Sequence, residues 1–197
     1  YTFHLQSPFE GDPWALFANL AAAQRADYCA YVDLGRFTIC SASPELFFRR
    51  DGAMLTSRPM KGTAPRGLSS EDDRRQVEWL RQSEKNRAEN VMIVDMIRND
   101  FGRIARTGSV QVPALFTVER YPTLLQMTST VTAETDASLS DILAATFPCA
   151  SITGAPKVST MQIIHDLEPA PRGVYTGAIG FIAPGRRAPF NVAIRTA

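Results

Sequence analysis

Cysteine is scarce in this 197-residue chain, and Cys29, Cys40 and Cys149 are odd in number, far apart and set among apolar neighbours. With no C-x-x-C pair and no Cys/His cluster, a disulfide scaffold and a zinc module are both excluded, and the usage fits a reducing compartment. The three read as buried small hydrophobes. Histidine is scarcer still: His4 and His165 have no evident partner, which argues against a His-based catalytic triad. No apolar run reaches the ~18 residues a membrane span needs, and Tyr1–Glu10 carries neither the basic start nor the apolar stretch of a signal peptide. Charge of one sign is missing too: 21 basic side chains face 20 acidic ones for a net +1. An electrostatically driven nucleic-acid binder shows a basic excess or stripe, so that class is excluded. At 45% hydrophobic the chain is too apolar for a disordered tail. Repeats, low-complexity tracts and linkers are absent, and the length leaves room for one sizeable domain or two small ones sharing a core.

What is present alternates runs of strands with helices. Asp12 and Pro13 open a helix with Trp14, Phe17, Leu20 and Ala21 at helical spacing. Asp27–Leu34 and Arg36–Ala42 predict a hairpin at Gly35, and Glu45–Arg50 with Ala53–Ser57 a second at Asp51-Gly52. Arg58–Gly67 reads as a Gly/Pro loop. Helices are expected from Ser69 or Ser70 to Gln82, from Ser83 to about Ile104, over Leu139–Thr146, and from Pro156 to about Leu167. Strands are expected at Ser109–Val112, Leu115–Arg120, Leu124–Glu134, Val174–Ile182 and Pro189–Ala197. The pattern predicts an α+β fold of packed, largely antiparallel sheets with flanking helices.

Four places carry chemistry. On a helix, Glu89 heads a face with Met92, Ile93, Met96 and Ile97. A carboxylate there is paired, protonated or metal-bound, or else it reaches solvent or pairs with Lys85 or Arg87. Asp95, Arg98, Asn99 and Asp100 read as a capping and ion-pair network. Lys61 sits on a loop stiffened by prolines and opened by glycines. It is either a solvated surface charge or, if desolvated, a nucleophile. Glu45 lies 16 residues upstream at the Pro44 break, and folding back of the intervening hairpin would bring the two to one cavity. Ser151–Lys157 leads into a helix start that favours an anion but lacks the spacing of a phosphate loop. Arg195, alone in an apolar strand, calls for a carboxylate, and Tyr175 on the neighbouring strand could reach the same place. These residues describe a site for an acidic small molecule, with or without a divalent cation.

Four blocks taken in order add a resemblance: Ser43-Pro44-Glu45-Leu46-Phe47, Arg58–Gly67, Lys85–Asp100, and Phe147–Lys157 running on to Tyr175 and Arg195. Together they resemble the chorismate-utilising enzymes, whose fold is that of anthranilate synthase component I, and the similarity covers nearly the whole chain. Lys61 points within the family to the aminodeoxychorismate branch. Anthranilate, isochorismate and salicylate synthases look like they carry alanine there, and Ile152-Thr153-Gly154 also resembles that branch. Gln126 stands near the position where many relatives show a histidine.

The resemblance implies that Lys61 is the nucleophile and Glu45 the general acid. It implies that Glu89 holds Mg²⁺, and that Gly62, Thr63, Thr153, Tyr175 and Arg195 meet the substrate. Chorismate and ammonia would give 4-amino-4-deoxychorismate in para-aminobenzoate and folate biosynthesis in the cytoplasm. The ammonia would come from a glutamine amidotransferase partner; neither nucleic acid nor membrane is involved. Residues 1–197 would then be a partial catalytic domain, lacking an N-terminal part and a C-terminal glycine-rich segment with a second metal ligand, and nearly inactive alone. The rival expectations are anthranilate synthase component I, a non-catalytic chorismate-binding fragment, and a simple anion-binding module.

Overall fold

Local capping chemistry fixes the first elements. In the computed structural model, which describes residue 2 and residues 6–197, the Asp12 carboxylate accepts from the Trp14 amide at 2.9 Å. With Pro13 at the first position this opens α1, Pro13–Gln24. Two hairpins follow: β1 (Tyr28–Asp33) with β2 (Thr38–Ser43), and β3 (Leu46–Asp51) with β4 (Met54–Arg58). Then come β5 (Met60–Pro65), α2 (Ser70–Gln82), α3 (Glu84–Gly102), β6 (Gln111–Arg120), β7 (Leu124–Glu134), α4 (Leu139–Thr146), α5 (Lys157–Leu167), β8 (Ala178–Gly180) and β9 (Arg187–Val192). Ser69 caps α2, Ser83 caps α3, and Ser138 with Asp141 forms a capping box on α4. His4 lies outside the described residues.

Every pairing among the described strands is antiparallel. β1 and β2 form a small sheet, and the other seven strands form one sheet in the order β5-β7-β4-β3-β9-β8 with β6 also on β7. A strand has two edges, so the registers decide the layout. β6 and β5 both pair with Leu125 and Thr128, and β6 and β4 both pair with Thr132. β4 and β5 therefore run end to end along one edge of β7, opposite β6. Phe48, Leu55, Val131 and Val192 of the sheet pack with Ile93, Val94, Ile97 and Phe101 of α3 and Ile142 of α4. A smaller cluster joins Ala64, Leu125 and Met127 to Val77 and Leu80 of α2. Full burial of each such large side chain contributes about 1.5–3 kcal/mol.

The structure corrects several expectations. Arg58–Gly67 is not a loop: β5 occupies Met60–Pro65, because distant β7 supplies its ladder and its prolines stand at the ends, where a missing N–H costs little. Ser109–Val112 and Leu115–Arg120 merge largely into β6, whose register shifts twice around Pro113 and Phe116 instead of breaking. Val174–Ile182 shortens to β8, with Tyr175 in a turn, and Pro189–Ala197 shortens to β9, which ends before Arg195. On α3 the buried face holds Asn90, Ile93, Val94, Ile97, Asp100 and Phe101, one residue round from the predicted stripe, so Glu89 and Met92 fall on its flank.

An acid-sensitive clamp ties the end of β5 to α2. Asp73 is largely buried and receives Arg66 Nε at 2.6 Å, Arg120 Nε at 3.1 Å and the Gly67 amide at 3.1 Å. The arginine bonds hold its carboxyl down at about 2. A carboxyl depressed in the folded state stabilises the fold above its ordinary value near 4, and that contribution is lost as pH falls through about 2. Thermal melts should therefore show Asp73→Asn below the parent chain at pH 6, with the gap closing toward pH 2.

Candidate active site

The hairpin β3–β4 brings the expected pair together. Leu46 is paired with Arg58, so the residues before β3 and after β4 emerge at one end, with Glu45 and Lys61 there. Ser43 shapes the turn into β3: its hydroxyl donates to the Val192 carbonyl at 2.6 Å and accepts from the Glu45 amide at 3.2 Å. Glu45 is 4% exposed, and its Oε1 is buried with no hydrogen-bond partner. Burial pushes its carboxyl up to about 7, opposed by the Ser151 hydroxyl, the Lys61 charge and the Met60 amide. A carboxyl poised near neutrality can hold a proton and release it, as a general acid must.

Lys61 is partly buried on β5. Gly62 beside it has φ +97, and a Cβ there would come within 3.1 Å of the Asn86 Cβ and 3.2 Å of the Met127 Cβ, so any other residue would be strained and crowded there. Thr63 Oγ1 donates to Gln126 Oε1 at 3.1 Å. The wall opposite Glu45 comes from the short 3₁₀ turn Ala150–Ile152, where Ser151 faces the carboxylate. Cys149 packs beside them, its Sγ 3.3 Å from the Ser151 hydroxyl. Burial, reinforced by the Glu45 charge, pushes this thiol up to about 12, which makes it inert as expected.

The remaining expected residues divide between two cavities. Thr153 and Tyr175 line one of about 530 Å³, together with Ile152, Phe147 and Arg172. Arg195 lines a smaller one of about 140 Å³, with Pro44, Met60 and Gln126, the chain neighbours of Glu45 and Lys61 among them. Arg195 is exposed rather than buried in a strand; at φ +51 it donates to Gln24 Oε1 at 2.9 Å. The structure thus does not bring Tyr175 and Arg195 to a common cavity. At the Ser151–Lys157 helix start the Lys157 ammonium is committed: its Nζ donates to buried Asp100 at 2.6 Å and to the Thr146 carbonyl at 3.1 Å.

Glu89 stands on α3 one residue before Asn90, which reaches the Lys61 carbonyl, and its nearest charge is Lys85 at 3.9 Å. Its half-exposed carboxylate offers the hard oxygen a magnesium ion takes, and such an ion commonly uses one or two carboxylates and completes its shell with water and substrate. Among the described residues, no three His, Cys, Asp or Glu side chains come together as a metal cluster. Sequence reasoning missed Asn90, although its place at i, i+3, i+4 and i+7 from Ile93, Val94 and Ile97 marks a polar residue inside an apolar stripe. It also left Gln126 without a role. No described helix is long and apolar enough to cross a membrane.

The family model described as "chorismate binding enzyme" matches residues 1–197, and the chain belongs to that family. It is 45% identical to aminodeoxychorismate synthase component 1 of Salmonella typhimurium over 97% of this chain and 42% of that protein. Anthranilate synthase component 1 of Aquifex aeolicus is 39% identical over 96% of this chain and 39% of its own length. The solved anthranilate synthase component I of Streptococcus pneumoniae superposes with a TM-score of 0.86 at 34% identity, covering 95% of this chain and 42% of that one. The chain spans about two fifths of the length of these two curated relatives.

Proposed function

We propose that this chain is part of the catalytic domain of an aminodeoxychorismate synthase component 1, converting chorismate and ammonia to 4-amino-4-deoxychorismate. The observation that carries the reading is the pairing of a buried Glu45 carboxyl, raised to about 7, with Lys61 at the same hairpin end. Lys61, as the neutral amine, attacks ring C2; the diene electrons shift and the C4–O bond breaks. Glu45 gives its proton to the departing hydroxyl, which leaves as water. Ammonia adds at C4, the electrons shift back, the C2–N bond breaks to return Lys61 as the amine, and the new C4 ammonium returns a proton to the Glu45 carboxylate, with the enolpyruvyl group retained.

The backbone at Gly62 and Thr63 approaches the substrate, and Arg195, whose cavity is lined by Pro44 and Met60, holds one of its carboxylates, whereas Thr153 and Tyr175 line a different cavity. Magnesium is proposed as the cofactor, with Glu89 as one ligand; when bound it neutralises the ring carboxylate. The "component 1" of the relative's name supports a separate partner. That partner is proposed to be a glutamine amidotransferase delivering ammonia in the cytoplasm.

Incubating the complete natural polypeptide with chorismate, Mg²⁺ and ammonia, followed by chromatography and mass spectrometry, should yield 4-amino-4-deoxychorismate. Anthranilate with released pyruvate as the main product would overturn this reading in favour of anthranilate synthase, a reading that the 39% identical relative keeps in view.

A further inference from the structure

Met60 is in register with Thr128 and Thr63 with Gln126, so Lys61 and Gly62 together oppose the single residue Met127. This is a β-bulge, and a bulge leaves backbone groups without their ladder partners. Here two side-chain amides take the carbonyls. Asn90 Nδ2, from α3, donates to the Lys61 carbonyl at 3.3 Å, and Gln126 Nε2, from β7, donates to the Gly62 carbonyl at 2.9 Å. Each amide is held at its other end as well: the Ser129 hydroxyl donates to Asn90 Oδ1 at 2.5 Å, and the Thr63 hydroxyl donates to Gln126 Oε1 at 3.1 Å. Asn90 is 1% exposed and Gln126 8%, so neither can turn without stranding a buried polar group.

We propose that Asn90 and Gln126 are positioning residues that clamp the bulge and so fix where the Lys61 side chain starts. A lysine ammonium rides on a flexible four-carbon stem, so the backbone origin is the part the fold can hold. The clamp holds Lys61 from the helix and Gly62 from the sheet, which packing of the bulge alone would not require. Its catalytic consequence rests on Lys61 being the nucleophile proposed above.

The test uses four variants of the complete natural polypeptide. Asn90→Asp and Gln126→Glu replace the donor with a carboxylate oxygen, and Asn90→Leu and Gln126→Met remove the whole amide without adding charge. Since a misplacement of about 1 Å can cost about 100-fold in rate, kcat should fall about 10- to 100-fold while KM for chorismate stays within about threefold. A second readout needs no turnover. Limiting acetic anhydride labels Lys61 in competition with exposed Lys85 and ion-paired Lys157, the chain's other lysines. Mass spectrometry should find the Lys61-to-Lys85 ratio raised at least about threefold in the variants, as the amine of a freed side chain becomes more accessible. If the ratio rises while parent and variants alike form no 4-amino-4-deoxychorismate, the clamp stands and the proposed reaction falls. Folded variants with unchanged ratio and unchanged kcat, beside an inactive Lys61→Ala, would overturn the clamp and leave the reaction standing.

Discussion

Replacing Lys61 with alanine in the complete natural polypeptide is expected to cut 4-amino-4-deoxychorismate formation by at least about 1,000-fold, because the covalent route disappears rather than weakens. Folding should be nearly unaffected, since Lys61 is only partly buried and its carbonyl, not its side chain, meets Asn90. Intact-protein mass spectrometry after rapid quench with chorismate should show an adduct on the parent and none on the variant. There is a second, electrostatic signature. The Lys61 charge pulls the Glu45 carboxyl down, so its loss lets burial push that carboxyl further up, visible as an upward shift of the Glu45 titration by NMR. Unimpaired turnover by Lys61→Ala would remove the nucleophile from the mechanism.

Glu45→Gln should cost activity and add stability. Loss of a general acid lowers the rate by about 100- to 10,000-fold. Glu45 has an ordinary value of 4.5 when unfolded and about 7 when folded, so the folded chain holds this proton more tightly. Its contribution to stability is therefore full below 4.5 and declines as pH rises to about 7, above which a buried carboxylate remains as a penalty. That difference corresponds to roughly 3 kcal/mol. Melting curves should place Glu45→Gln above the parent at pH 8, with the gap closing below about pH 4.5. A variant less stable than the parent at pH 8 would contradict the burial argument.

Much of this was legible where the chemistry is local. Asp12-Pro13, Ser69, Ser83 and Ser138 announce their helices because a cap acts within three residues. Gly35 and Gly52, both at positive φ, announce the two hairpins for the same reason. The second hairpin carried Glu45 and Lys61 to one end, as their spacing suggested. β5 was not legible, because its Gly and Pro speak of a loop and the strand that pairs it lies more than sixty residues away. The rotation of α3 was missed because Met92 and Met96 complete an apolar stripe as well as Val94 and Phe101 do; only the docked sheet chooses between them. Asn90 was hidden by that error. Arg195 was read as buried because an apolar strand was expected to continue through it, whereas the backbone turns at φ +51 and releases it to the surface.

The Ser43–Val192 bond has a consequence in time. It joins residues 149 apart in sequence, and Val192 also donates its amide to the Glu45 carbonyl at 3.1 Å. Glu45 and Lys61 leave the ribosome well before the walls that dry the carboxyl, Ser151 and the end of β9. Contacts of such long separation form late, since the chain between them must first be ordered. Until β9 docks the burial that raises the Glu45 carboxyl is incomplete, so the proton-holding acid depends on the contact between residues 43–45 and Val192.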